Sequence, residues 1–489
     1  MGLLDRAGAR LTSHPEEADI LVVNTCSFID TAKQESVDTI LEMARHKTEG
    51  RAKKLIVAGC LVERYRDEIR RDIPEVDAVL GTGELEAILE AAGIPRPKRQ
   101  SPFTILSGGQ VAEVHLGKEG QAGTHKHGAA AVSHAHEAHG SRPEGDLREQ
   151  QGRFSRTEWE GAEHSLPTYL YDEKTPRVLA TGKTSAYIKI AEGCDHPCTF
   201  CVIPNLRGKF RSRRFESVLA EARQLVAQGV EEITLIGQDT TCYGEDLGLK
   251  DGLALLLDAL AQIEGLRWLR FLYAYPNRIT TKLLETIAKH DKICKYLDLP
   301  LQHASPAVLK RMKRGGSAAI FLKTLEKARA MVPGIVLRTA FIVGFPGESA
   351  EDAALLDEFI QAAQFDWLGV FSYSDEEGAG AFALEGKLPK RTIEARRRKL
   401  MKIQQKISKE SKQQWVGREL VLLAEGPSEE TPLLWEGRTQ FHAPEIDGKV
   451  YINDFGALES LQAGRFYRAR ITEAHDYDLV ARILERPMA

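Results

Sequence analysis

Short apolar runs alternate with longer segments of helical periodicity along most of this chain. Near the start, Ala18-Asp-Ile-Leu-Val-Val-Asn24 and Lys53-Lys-Leu-Ile-Val-Ala-Gly59 are continuous enough to be strands buried on both faces. Helical patterns follow each of them, over about 30–45 and 62–71. Residues 1–100 are therefore expected to form a parallel α/β domain.

From about residue 184 the alternation resumes. It predicts strands over 185–190, 232–236, 268–274, 296–301, 336–343 and 367–373, with helices between them. Six such units suit a partial (β/α)6 barrel over 184–410, with its active site at the carboxyl mouth of the strands. A basic helix from Thr392 to about Lys412 leads out of it. Over 411–489 the pattern shortens to five strands, at 420–423, 434–440, 449–452, 466–471 and 479–484, between Gly, Pro and Asp turns. That predicts a small antiparallel β-barrel. The fold class is thus multidomain α/β with a terminal all-β module.

One stretch breaks the pattern. Residues 101–183 hold seven of the fourteen histidines, with few large apolar residues, and read as a low-complexity insertion plus the linker Tyr171–Arg177. Net charge is −4, which does not advertise strong nucleic-acid binding. No apolar run approaches the roughly 18 residues of a membrane span. The chain opens Met1-Gly-Leu-Leu-Asp-Arg without a secretory signal, so a reducing cytoplasm is expected.

Seven cysteines in 489 residues make one local cluster informative. Cys194, Cys198 and Cys201 have the spacing C-x3-C-x2-C on a loop just past the first barrel strand. Three thiolates on one tight loop can hold three irons of a 4Fe–4S cube and leave the fourth without a protein ligand. That open iron suits S-adenosylmethionine, whose reductive cleavage gives a radical able to attack C–H bonds. A Cys3His zinc site with His196 is the plainer alternative. Cys26 lies just past the first strand of the chain and Cys60 ends the second, at the edge where parallel sheets bind ligands. They form a candidate second metal site. Cys242 and Cys294 have no partner spacing and read as structural.

The loop with its tail Arg207-Gly-Lys-Phe-Arg-Ser-Arg213 resembles the radical-SAM methylthiotransferases. So does the three-part layout, an α/β domain with its own cysteines, a radical-SAM core and a terminal TRAM barrel. Asn24-Thr-Cys-Ser-Phe-Ile-Asp30, Ala443-Pro-Glu-Ile-Asp-Gly448 and His475-Asp-Tyr-Asp-Leu479 resemble the branch that acts on protein twelve of the small ribosomal subunit. This resemblance implies methylthiolation of an aspartate β-carbon, two 4Fe–4S clusters, S-adenosylmethionine, and an electron donor such as flavodoxin or ferredoxin. Cys194, Cys198 and Cys201 would hold the catalytic cluster, and Cys26 and Cys60 the auxiliary one. The family pattern has a third auxiliary cysteine on an earlier strand. The chain is expected to lack that strand, through truncation or a start codon placed too far downstream.

The resemblance also implies that Phe200 packs by the adenine and that Gln238 and Gln302 face the mouth. It places Gly344, in Val343-Gly-Phe-Pro-Gly-Glu348, where the backbone approaches adenosine. Arg338 has two expected partners, the cofactor carboxylate or a structural acid. The basic run Arg207, Lys209, Arg211, Arg213 and Arg214 reads as a solvated face or as a clamp on the substrate carboxylate. Two alternatives stand beside this function, a tRNA adenosine methylthiotransferase and a non-catalytic iron–sulfur or zinc protein. From Ser411 onward nine Lys and Arg face thirteen Asp and Glu, which favours a basic protein substrate over RNA.

Overall fold

Strands β1 (Ile20–Thr25), β2 (Lys54–Gly59) and β3 (Ala78–Leu80) form a parallel sheet in the order β1-β2-β3. The computed structural model describes residues 1–95, 170–179, 182–429, 431 and 433–485, so the expected histidine-rich insertion falls outside the described residues. Both faces of the sheet are covered, which is why its strands read as unbroken apolar runs. Leu21, Val23, Leu55 and Val57 pack with Ile40 and Ile69 on one side, and Ile56 and Ala58 with Leu4 and Leu89 on the other. Gly59 has φ 107°, and a Cβ there would lie 2.5 Å from the Thr25 carbonyl oxygen. This tight turn delivers Cys60 as the first residue of the helix Cys60–Asp72.

Two three-stranded parallel sheets make the central barrel. One runs in the order β4 (Ser185–Lys189), β7 (Glu232–Ile236), β8 (Trp268–Phe271). The other is β11 (Trp367–Ser372), β10 (Val336–Val343), β9 (Tyr296–Asp298). An isolated parallel bridge pairs Leu269 of β8 with Ile293, shortly before β9. A small antiparallel pair, β5 (Ala191–Glu192) and β6 (Arg211–Ser212), sits after β4. Alternate residues of the barrel strands, among them Ile188, Leu235, Leu297 and Phe341, pack outward against the helices in one core. Strands β8 and β9 end sooner than the apolar pattern suggests. Two non-glycine residues then adopt the left-handed region, Tyr273 (φ 61°) soon after β8 and Gln302 (φ 71°) further beyond β9.

The terminal strands β12 (Glu419–Pro427), β13 (Trp435–Thr439), β14 (Val450–Asp454), β15 (Arg465–Ala474) and β16 (Leu479–Ile483) close into a barrel ordered β12-β13-β14-β16-β15. Closure uses one parallel pairing, β14 with β16; the other pairings are antiparallel.

This small barrel seals the base of the large one. Ser185, Glu232, Trp268, Tyr296, Val336 and Trp367 are the first residues of β4, β7, β8, β9, β10 and β11. Arg438 of β13 donates to Ser185 Oγ at 3.0 Å and to Glu232 Oε1 at 2.7 Å. Trp268, Tyr296, Val336 and Trp367 share an apolar cluster with Leu423, Ala443 and Phe466. Trp367 also donates from Nε1 to the Phe441 carbonyl. Each barrel strand thus enters from a floor built by residues of the terminal module, and the opposite, carboxyl ends form the mouth.

Candidate functional site

The cysteine loop leaves β5 at Gly193, whose φ is 77°. A Cβ there would lie 2.2 Å from the Lys209 carbonyl oxygen, so glycine is required for the close approach. The loop is then pinned along its length. Cys194 N donates to Gly208 O, Thr199 N to Met312 O, and Cys201 N to Cys198 O. Thr199 Oγ1 donates to Arg311 O at 2.8 Å. All three thiols are half-buried. Burial pushes Cys194 up to about 11 and Cys201 up to about 12, and the neighbouring thiols add to both shifts. Three ionised sulfurs here would repel one another, and a bound cationic centre would remove that cost. Their donor set therefore fits a 4Fe–4S cluster.

A polar bracket holds the middle of the loop. His196 Nε2 pairs with Asp239 Oδ2 at 2.6 Å, and its ring stacks on Tyr275 at 3.9 Å. Asp239 is buried at the carboxyl end of β7 and also accepts from the Cys242 thiol and from Thr241 N. Burial would raise its carboxyl, but the bonds from His196, Cys242 and Thr241 bring it below the usual range. Asp239 thus anchors His196 through Nε2 and fixes the orientation of its ring on the loop. Arg314 lies over the Tyr275 ring at 4.5 Å and donates to Cys198 Sγ at 3.5 Å.

Across the mouth stands the edge of the N-terminal sheet. Cys26 is exposed, and its backbone N–H and carbonyl are both held by Ser36 Oγ at 3.0 Å. Cys60 is buried with Val202, Leu206 and Ala379 of the barrel. Burial raises its thiol, and Cys26 is close enough to add to the shift. Arg207 spans the two cysteine sites. Its Nη2 donates to Cys60 Sγ at 3.4 Å and its Nη1 to Glu192 Oε1 at 2.9 Å, two residues before Cys194. Lys189 holds the other Glu192 oxygen at 2.6 Å. A second clasp secures the same joint: buried Glu376 accepts from Lys33 at 2.9 Å and Arg64 at 3.2 Å.

Three family models match the chain: an uncharacterized protein family, UPF0004, over residues 1–81, the Radical SAM superfamily over 188–360, and the TRAM domain over 416–484. A protein of Koribacter versatilis (strain Ellin345), named ribosomal protein uS12 methylthiotransferase RimO, is 65% identical across 99% of this chain and 92% of its own length. Proteins of the same name from Solibacter usitatus (strain Ellin6076) and Myxococcus xanthus (strain DK1622) are 54% and 41% identical, covering 99% and 100% of this chain and 90% and 88% of their own lengths. The chain belongs to the RimO family. It is a radical-SAM methylthiotransferase, and the cofactors of that family are 4Fe–4S clusters and S-adenosylmethionine.

Within this RimO-family chain the other expected site residues divide. Gln238 follows β7, and its buried Oε1 accepts no hydrogen bond from any described residue. That leaves it free to receive a donor from a ligand. Gln302, in its left-handed turn, bonds through its backbone to Ala340 and Ile342. Phe200 packs partly buried against the central core. Of the two partners expected for Arg338, the structure shows the structural acid. Arg338 sits three residues into β10, near the floor, and is committed to Asp298 at 2.8 Å and to Asp447 of the terminal module at 3.4 Å. Its partners are structural acids, not a cofactor at the mouth. Gly344 has φ 79°, in the left-handed region. A Cβ there would lie 2.4 Å from Ile393 Cγ1, so a packed helix demands the glycine.

The basic run is neither a solvated face nor one clamp. Arg213 is 2% exposed and donates to Glu221 and to the Lys189 carbonyl. Arg211 donates to the carbonyls of Arg207 and Lys209. Only Lys209 and Arg214 are exposed. Sequence reasoning missed Tyr275, Arg314, Glu192 and Glu376. Tyr275 carried a usable signal, since Tyr275-Pro276 directly follows the strand predicted over 268–274.

Proposed function

We propose that this chain adds a methylthio group to the β-carbon of an aspartate in ribosomal protein uS12. The observation that carries the proposal is the contact from Arg207 to both Cys60 and Glu192, which supports one mouth shared by two sulfur sites. In this proposal Cys194, Cys198 and Cys201 hold the catalytic cluster, while Cys26 and Cys60 belong to the auxiliary one. When bound at the first site, a 4Fe–4S cluster supplies an electron to S-adenosylmethionine, giving the hydrogen-abstracting power that the reaction needs.

The chain's own residues orient and enclose. Asp239, His196 and Tyr275 keep the cysteine loop in one shape, and Gln238 offers a buried acceptor beside it. Trp268, Tyr296 and Trp367 close the base, so water is excluded from below. The target aspartate enters from the mouth. The acidic excess of the terminal module favours a basic protein partner. A flavodoxin- or ferredoxin-type donor, a cytoplasmic setting, and a division into parts at 1–100, 101–183, 184–410 and 411–489 complete the proposal.

The test is anaerobic turnover of the reconstituted chain with uS12, and separately with tRNA. Methylthio addition at an aspartate of uS12, with deoxyadenosine released, is expected. Modification of tRNA alone would replace this function with the adenosine one.

A further inference from the structure

The basic helix Lys390–Gln413 carries ten Lys and Arg against two Glu, in a chain whose net charge is −4. It runs beside β11 from the mouth to the floor. Near its start Glu394 accepts from Ser372 Oγ at 2.6 Å, at the carboxyl end of that strand. Near its end Lys412 Nζ lies 3.5 Å from the ring centroid of Trp367, the first strand residue. Ile393, Leu400 and Ile407 are buried in the central core, so the apolar stripe of the helix is already covered. At 3.6 residues per turn, Arg391, Arg398, Lys402 and Lys409 fall within about 40° of one another on the opposite side and span about 27 Å. All four are exposed. Among the described residues Arg391, Arg398 and Lys402 pair with no carboxylate, and Lys409 reaches only Asp476, at 3.9 Å.

We propose that this face binds the phosphate backbone of RNA along the outside of the barrel. A row of fixed cations needs only phosphates for partners, because neutralising them releases condensed counterions. Arginine forks and lysine ammoniums both serve. An acidic protein would need more. Protein interfaces draw most of their affinity from buried aromatic or apolar anchors, and no large apolar side chain of this helix is exposed. The same fact argues against a membrane surface, into which an amphipathic helix inserts its apolar face. The total charge conceals the row, since the acidic excess from Ser411 onward offsets it. The row begins at Arg391, three residues before the Glu394 contact at the mouth, where RNA would accompany a ribosomal substrate. The binding itself does not rest on the sulfur chemistry.

The experiment measures binding of the full chain to small-subunit ribosomal RNA over a range of salt concentrations. Arg391→Gln, Arg398→Gln, Lys402→Gln and Lys409→Gln together remove four phosphate contacts. The slope of log K against log salt is expected to fall by about 3, and affinity at about 0.1 M salt by roughly 100-fold. Glutamine is a good helix former, so the melting temperature should not move. Arg391→Lys with Arg398→Lys keeps both charges and should bind as the parent does. A control removes equal charge from two other helices, Thr281–Lys289 and Ala318–Met331, through Lys282→Gln, Lys289→Gln, Lys323→Gln and Lys327→Gln. It should leave the slope as in the parent. Equal slopes in the parent and the first variant, an equal loss in the control, or a parent that binds no RNA would overturn the proposal. So would a first variant that keeps RNA binding but loses binding to a flavodoxin, since the row would then belong to an acidic protein. Each of these results leaves the methylthiotransferase reading standing, because none of them measures sulfur transfer.

Discussion

Arg438 and Glu232 form a buried ion pair across the joint between the two barrels, with Glu232 fully inaccessible and Nη1 at 2.7 Å from Oε1. The pair joins the first residue of a central strand to a residue 206 positions later. Burial alone would raise the Glu232 carboxyl. The Arg438 and Arg270 guanidiniums overcome that and hold it below its ordinary 4.5. Arg438→Met would strip the buried carboxylate of its two-pronged partner and leave Arg270 at 3.6 Å as its remaining cation. It is expected to cost about 3–5 kcal/mol of stability, measurable by urea unfolding. Because the folded value is depressed, the pair's contribution is complete above pH 4.5 and is lost as pH falls through the lower, folded value. Acid titration of the variant should show that dependence reduced.

The Asp239–His196 contact gives a second expectation. Asp239→Asn keeps the shape of the side chain but removes the charge that anchors the loop histidine. Partners that orient a ligand segment are typically worth about 10–100-fold in metal retention or activity. Iron retention under mild chelation should fall by that order while the melting temperature changes little. Unchanged retention would deny Asp239 its orienting role.

His303 supplies an acid-sensitive element. It is fully buried, accepts from Ser305 N through Nδ1, and has Nε2 3.9 Å from Glu348 Oε2. Burial lowers its value from 6.5 to about 4; Arg311 and Arg396 add to the shift and Asp352 opposes it. Below pH 6.5 the unfolded chain takes up a proton that the folded chain refuses until about pH 4. Stability from this group is therefore complete above 6.5 and falls by about 3 kcal/mol across that window. Unfolding of His303→Gln between pH 7 and 4 should lack this component. A slope equal to that of the parent would rule His303 out as its source.

Separate cysteine substitutions should divide the chemistry. Cys198→Ala is expected to lose about four irons and all deoxyadenosine formation. Cys60→Ala should keep the deoxyadenosine and lose methylthio transfer. Product analysis by mass spectrometry reads both. Deoxyadenosine from Cys198→Ala would refute the catalytic assignment.

The legible parts of the molecule are those where local chemistry is decisive. β2 and β7 are buried on both faces, β1 and β10 on one face with the other partly covered, and all four show as apolar runs with nearly correct ends. β8 and β9 were overextended because their apolar pattern runs on past Phe271 and Asp298, where the strands end, and nothing local announces the left-handed turn at Tyr273. Three thiols on one loop declare themselves by spacing, whereas the meaning of an arginine depends on distant partners. Arg207 finds Cys60, 147 positions away, and Arg338 finds Asp298, 40 positions away.

The floor of the central barrel has a consequence for how the chain is made. Glu232, Arg270 and Arg338 are synthesised long before Arg438, Gln440 and Asp447, the groups that compensate them. While the ribosome is still extending the terminal module, those charges have only one another and Asp298 as partners, and the apolar strand starts around them have no cover. Domains generally fold in order as they emerge. Here the middle one must wait for the end of the message, so a nascent chain that stalls past residue 410 would expose an open, chaperone-dependent barrel.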